Sequence, residues 1–367
     1  MNFSDIFIDD TKNVKRINSD EYLIKGSISV IDQGKELIAG YASDDVENAC
    51  YDTRIIFGDH TRIFKYIDFP FVCGADGTKV LKIIDPSKIN YKYMYYYLLA
   101  SNIPNTGYNR HFKWVKELSF KPVDINSQMM IVNKLDKINN LIDCRKKEIE
   151  KCDNLIKSQF VEMFGNIKTN DKKWNVYSNL LNYCVFNPKK NEIAEVNKDT
   201  MVTFLPMQNV SVDGVINYSI EKKISEVWKG FTYFKENDVL FAKITPCMEN
   251  GKGAVAKKLK NGIGFGTTEF HVIRPNKEIN SVWLYHVLAD KDFRKEAGEN
   301  MTGSAGQKRV PITFLENYKL AIPPIELQNK FAQIVEQIDK QKFVNLKIFQ
   351  LLGKKLKKWY NSIIDFC

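Results

Sequence analysis

The residues best suited to chemistry lie in a few loops that mix cations, hydroxyls and small side chains. Thr302-Gly303-Ser304-Ala305-Gly306-Gln307-Lys308-Arg309 is one of them. Its Gly and Ser residues let backbone N–H groups approach a phosphate. Lys308 and Arg309 supply charge, and Gln307 and Arg309 carry the paired groups that read base edges. A counterpart precedes it, Asn105-Thr106-Gly107-Tyr108-Asn109-Arg110-His111-Phe112-Lys113-Trp114, with Asn109, Arg110, His111 and Lys113 as its polar members. One such loop is most simply a solvated turn, but two at matching places point to DNA contact.

Two further stretches put polar groups just after a strand. Ile56-Phe57-Gly58-Asp59-His60-Thr61-Arg62 contains an Asp–His pair that suggests catalysis, yet no nucleophile or metal ligand accompanies it. A turn that presents His60, Thr61 and Arg62 to DNA, with Lys65 behind them, is the better reading. Leu240-Phe241-Ala242-Lys243-Ile244-Thr245-Pro246 repeats the arrangement with Lys243 and Thr245. Gly266-Thr267-Thr268-Glu269 and Gly74-Ala75-Asp76-Gly77-Thr78 read first as structural turns, and Thr267 and Thr268 are also within the candidate DNA-facing set.

Complete catalytic signatures are missing. Gly251-Lys252-Gly253 has Pro246 and Gly253 where a phosphate-binding loop needs Gly and a hydroxyl residue. Ile322-Pro323-Pro324-Ile325 lacks the polar and aromatic ends of an adenine-methyltransferase tetrapeptide, and Gly264-Phe265-Gly266 is too short for a nucleotide-binding fingerprint. The histidines at 60, 111, 271 and 286 and the cysteines at 50, 73, 144, 152, 184, 247 and 367 have no zinc-ligand spacing. No catalytic residue and no metal site is therefore expected.

The elements that must position these loops show as a repeat, because residues 121–164 and 321–364 share one pattern 200 positions apart. Ile131, Leu135, Ile138, Ile142, Ile149, Cys152, Ile156 and Met163 step by fours and threes, as do Phe331, Val335, Ile338, Phe349, Leu352, Leu356, Trp359 and Ile363. Each copy opens on a Pro-containing extended stretch and places a Gln at 128 or 328. The alternation is that of a coiled-coil seam. Ser127 is the expected N-cap of the first rod and Gly165 its stop. About 38 residues at about 1.5 Å each make a rod near 55 Å. Pairing of the two rods shields their seams, and an antiparallel pair needs no return connection. Arg145, Gln159, Lys342 and Asn345 interrupt the seams and are expected to fix register or meet a partner.

This divides the chain into residues 1–120, a rod over 121–165, residues 166–320 and a second rod over 321–367. Strands are expected at Ile28–Ile31, Arg54–Phe57, Phe69–Cys73 and Lys79–Ile84, with an aromatic helix at Asn90–Leu99. The second half repeats this order with strands at Val202–Leu205, Asp238–Ala242, Gly253–Ala256 and Glu269–Ile273, and a helix at Ser281–Ala289. The fold class is mixed α/β.

With 367 residues, 44% hydrophobic content and a net charge of +10, the chain has the make-up of a folded protein with a polyanionic partner. Only eight of its basic residues are Arg, so part of the excess reflects abundant Lys. No apolar run is long enough to span a bilayer and no leader-like start is seen, while an odd cysteine count without framework spacing suggests reduced thiols. A cytoplasmic location is expected.

Taken in order, these stretches resemble the specificity subunit of a Type I restriction–modification system. In the first half the resemblance rests on Val30-Ile31-Asp32-Gln33-Gly34, Ile38-Ala39-Gly40-Tyr41, Phe57 to Arg62 and Gly74-Ala75-Asp76-Gly77. In the second it rests on Asp238 to Pro246, Thr302-Gly303-Ser304 and Ile322-Pro323-Pro324-Ile325-Glu326-Leu327-Gln328. It covers essentially the whole chain, although the first half is shorter and lacks the double Pro.

The resemblance implies two target-recognition domains, each reading one half of a split double-stranded DNA site. They would be held apart by two conserved helices in an antiparallel coiled coil of pseudo-twofold symmetry. Two methyltransferase subunits would dock on the helices, and restriction/translocase subunits would join them. S-adenosylmethionine, ATP and Mg would belong to those partners, leaving this chain without cofactor or catalysis. Two other readings remain: a recognition subunit of a Type II enzyme, which only the partner's sequence separates, and a coiled-coil scaffold, which leaves the cationic loops unexplained.

Overall fold

The computed structural model describes residues 1–74, 76–304 and 306–365. Ala75 and Ala305, which fall in two of the loops named above, and Cys367 lie outside the described residues. The chain forms two compact units, Met1–Ile149 together with the chain from Val344, and Glu150–Phe343.

In the first unit, an antiparallel sheet is ordered Phe7–Asp9, Thr78–Ile83, Arg54–Gly58, Phe64–Ile67. A second, three-stranded sheet pairs Ile28–Ile31 antiparallel with Gly40–Ala42 and parallel with Phe71–Cys73. The helix Tyr91–Ala100 is capped by Asn90, whose side chain accepts from the backbone of Lys92 and Tyr93. Ile55, Phe57, Leu81, Tyr93, Leu98 and Phe112 fill the core beneath it.

The second unit repeats the plan and adds strands. Met201–Leu205 runs parallel to Ile263–Gly266, as Ile28–Ile31 does to Phe71–Cys73. Val239–Ala242 lies antiparallel between Phe270–Pro275 and Gly253–Val255, and the helix Ser281–Ala289 is capped by Asn280. Glu221–Lys223 and Thr232–Lys235 extend one sheet, Cys184–Phe186 the other, and Lys319–Ile322 pairs with Val176–Asn179. These additions account for its greater length. The glycines of Gly264-Phe265-Gly266 belong to a central strand, where a Cβ on Gly264 would come within 2.1 Å of the Phe234 ring.

The rods span Ile125–Phe164 and Ile325–Asp365. The first starts two residues before the expected cap, and Asp124 does the capping, its carboxylate accepting from the Ser127 N–H at 3.0 Å. Those bonds also hold the Asp124 carboxyl below its ordinary range. Gly165 does end the helix, at φ +67.

In the first unit Ile131 and Leu135, from the early part of the first rod, share a core with Leu356, Trp359 and Ile363, from the late part of the second. In the second unit the order is reversed, with Ile156 and Phe164 against Phe331, Val335 and Ile338. Within each unit, then, the two helical segments run antiparallel. Their seam residues also pack into the domain core, since Phe164 meets both Phe331 at 5.4 Å and Trp283 at 6.2 Å. The polar interruptions are mostly paired: Arg145 donates to Asn345 at 3.1 Å, and Lys342 to Asp153 at 2.5 Å. Gln159 bonds to Glu162 on its own helix.

One buried glutamine ties each rod to its domain. Gln128 accepts from the Asn90 N–H at 2.8 Å and donates to the carbonyls of Lys88 and Val123 at 3.0 and 2.7 Å. Gln328 makes the same three bonds, with Asn280, Glu278 and Pro323, at 2.9, 3.2 and 2.7 Å. Each thereby joins the rod's first turn, the extended segment leading into it and the segment that caps the domain's aromatic helix.

Removing the amide leaves three backbone groups without this partner, the Pro323 carbonyl in a buried setting. Gln328→Leu is expected to cost the second unit about 2–4 kcal/mol, read as a lower urea midpoint; an unchanged midpoint would contradict the role. The buried His271 gives a pH signature. Its Nε2 lies 2.8 Å from the Val310 carbonyl and its Nδ1 3.3 Å from the Asn187 amide, a pattern that suits the neutral ring. Burial pushes its pKa down to about 4. An unfolded histidine takes up its proton near about 6.5, so this contribution is complete above that value and is lost as pH falls toward about 4. The urea midpoint should drop between pH 7 and pH 5, and less so in His271→Gln; an equal drop in both would refute it.

Candidate nucleic-acid interface

In the first unit, three loops far apart in sequence close on one another. The Asp59 N–H donates to the Gly77 carbonyl at 2.7 Å, and the His111 N–H to the Asp59 carbonyl at 2.9 Å. The Asp59 carboxylate accepts from the Phe112 N–H at 2.7 Å. Gln33 knits the outer edge: its side-chain oxygen accepts from the His60 N–H, its amide donates to the Asp76 carbonyl, and its backbone carbonyl accepts from the Thr61 hydroxyl. Arg62 reaches the Ile103 carbonyl at 3.3 Å from a backbone at φ +61.

On this frame His60 stacks with the exposed Tyr108 ring at 4.9 Å. Asp76 is paired with Arg16 at 3.1 Å and Arg110 at 3.4 Å. The Gly77 N–H, together with the two arginines, holds the Asp76 carboxyl below its ordinary value. Asn109 is exposed and bonds to the Thr106 carbonyl, and the exposed Lys113 lies 4.8 Å from the Trp114 ring.

Two expected contacts are corrected. Lys65 is 4% exposed, because every residue of Phe64–Ile67 but Tyr66 is buried, and its ammonium is held by Asp32 and by the Glu36 carbonyl. Burial lowers its pKa. His111 is wholly buried, with one ring nitrogen 3.0 Å from the Asp59 carbonyl and the other beside Thr106. Both hold loops in place from inside instead of facing a ligand.

The second unit builds the same closure from different residues. The Val310 N–H donates to the Lys243 carbonyl at 2.9 Å, matching the His111–Asp59 bond. The Lys243 N–H donates to the Glu269 carbonyl, and the Thr245 N–H to the Lys308 carbonyl. The Thr245 hydroxyl reaches the Gly306 carbonyl at 3.2 Å. Thr267 accepts from the Glu269 N–H, while Thr268, Ser304, Gln307 and Lys308 are exposed.

Arg309 is gripped in a bidentate pair with Glu269 at 3.0 and 2.8 Å and also reaches the Gln307 carbonyl. That pair holds the Glu269 carboxyl down, and burial beside Arg309 lowers Lys243. The sequence therefore located the loops but missed Gln33, Arg16, Asp76 and Glu269. No group of described residues is arranged to hold a metal ion, and no helix among them is long and apolar enough to cross a membrane.

Comparison with known proteins adds what the chain is similar to. Residues 185–348 match the family model described as Type I restriction modification DNA specificity domain. The Type I restriction enzyme EcoAI specificity subunit of Escherichia coli is 40% identical over 181 residues, which is 45% of this chain and 31% of that protein. The alignment thus spans about a third of that relative's length. The EcoR124I/EcoR124II specificity subunit of Escherichia coli is 21% identical over 350 residues, covering 87% of this chain and 83% of the other. The solved S subunit of a Type-I restriction-modification system from M. genitalium shares the fold, with a TM-score of 0.60 and 15% identity over 99% of this chain and 95% of that one. Residues 185–348 thus match a Type I restriction modification DNA specificity domain, and the chain as a whole shares the fold of a Type-I S subunit.

Proposed function

We propose that this chain reads DNA sequence for a Type I restriction–modification enzyme, each unit recognising one half of a split target. The observation that carries the reading is the recurrence, in two units of different sequence, of one three-loop cluster rich in cations and hydroxyls, built from loops that precede the rod in sequence. The exposed Lys113 and Lys308 would neutralise phosphates, and the affinity should fall steeply with salt. The side chains between them, among them His60, Asn109, Thr268, Ser304 and Gln307, would discriminate bases.

On this reading the chain is non-catalytic and works in the cytoplasm. Methyltransferase subunits docked along the rods would supply S-adenosylmethionine and extrude the target adenine, since a base inside the duplex is out of reach. A nuclease/translocase would supply ATP and Mg chemistry. The paired Arg145–Asn345 and Lys342–Asp153 contacts suit register-keeping better than partner binding.

The test is the methylome of the host with and without the gene. One split, adenine-methylated motif should vanish on deletion and return on complementation. A methylome unaltered by deletion would refute the proposal.

A further inference from the structure

In each unit a carboxylate on a glycine turn sits among cations of the loop cluster. Asp76, 73% exposed, accepts from Arg16 and from Arg110, which are 42% and 68% exposed. Glu269 is held by Arg309, with Lys243 hydrogen-bonded to it through the backbone. The turns that carry the two acids differ, Gly-Ala-Asp-Gly against Gly-Thr-Thr-Glu, and so do the cations. The arrangement recurs although the residues do not.

As a brace for the loops, the first trio is weak, because ion pairs this exposed contribute little to stability. As a phosphate site it is worse, since a carboxylate there repels the one group that every DNA sequence offers. What a carboxylate does well is accept. An ionised acid has no donor, so the major-groove base-edge groups it can receive are exocyclic amines, N4 of cytosine and N6 of adenine. Guanine O6 and N7 and thymine O4 meet it acceptor to acceptor. The arginines orient the acid and leave it lone pairs, since two oxygens offer about four acceptor sites and Glu269 spends two on Arg309. Such an acid lowers affinity for all DNA and raises the difference between sequences, which is what specificity is.

We propose that Asp76 and Glu269 are specificity-determining residues, each demanding an exocyclic amino group at one position of the half-site read by its unit. The inference rests on the DNA-reading role proposed above. Its test is the methylation motif of host strains carrying Asp76→Asn or Glu269→Gln in place of the natural gene. An amide keeps one of the two oxygens that accept from arginine and puts a donor in place of the other, so it also accommodates carbonyl-bearing bases. Each variant should relax one cytosine or adenine position in one half-site, lowering discrimination there by about tenfold or more, and leave the other half-site as it was.

If the natural gene specifies no split motif, the DNA-reading proposal itself fails. If it does, and both variants keep every base preference of the natural protein, the inference is overturned. A uniform loss of methylation at all sites in both variants, with preference unchanged, overturns it too, since that is the mark of a merely structural acid. Should Glu269→Gln fail to fold, Asp76→Asn carries the test, because its side chain is largely in solvent.

Discussion

Everything that the loop clusters do depends on where each domain stands on its rod, and a buried glutamine fixes that. Gln128 and Gln328 each satisfy three backbone groups that come from three different segments. A hydrophobic residue there would fill space without specifying orientation. Because a buried amide is costly unless all its partners are in place, the bond set permits one arrangement of aromatic helix, entry segment and rod. The rods then serve two ends, since their seam residues are also core residues. Leu135 and Phe331 are completely buried, each among the side chains of its own unit.

The second constraint is electrostatic. The chain carries a net charge of +10, which favours any polyanion without distinction. Its loop clusters are not simply positive, because Asp76 and Glu269 occupy arginines that would otherwise be free for phosphate. General attraction from the lysine-rich surface and local rejection at the clusters are complementary. On the proposed reading, the first would bring DNA near, and the second would make the final fit depend on base edges.

How much of this was legible in the sequence follows from the range of the interactions involved. The rods were readable because their signal is local, a three-four step sustained from Ile131 to Met163 and from Phe331 to Ile363. The helix Ser281–Ala289 was placed to the residue, and its counterpart Tyr91–Ala100 to within one. The cap was misplaced, because Asp124 and Ser127 are both good caps and only their mutual bond decides. Edge strands such as Glu221–Lys223 and Cys184–Phe186 went unseen, because three residues are too few to show an alternation. Lys65 and His111 looked like surface cations because side-chain direction within a short strand or loop is set by tertiary packing. Asp76 and Glu269 were hidden for a related reason, as their arginines lie 34 and 40 residues away. The matched turns at 74–78 and 266–269 were the one available clue.

The claim at the centre of this account is that one chain holds two separate DNA-reading surfaces. The most direct measurement is selection from a pool of random-sequence duplexes by the full chain, purified with whatever subunits accompany it. The account predicts enrichment of two short specified segments separated by a gap of fixed length and free sequence. A single contiguous motif, or no enrichment over the starting pool, would contradict it.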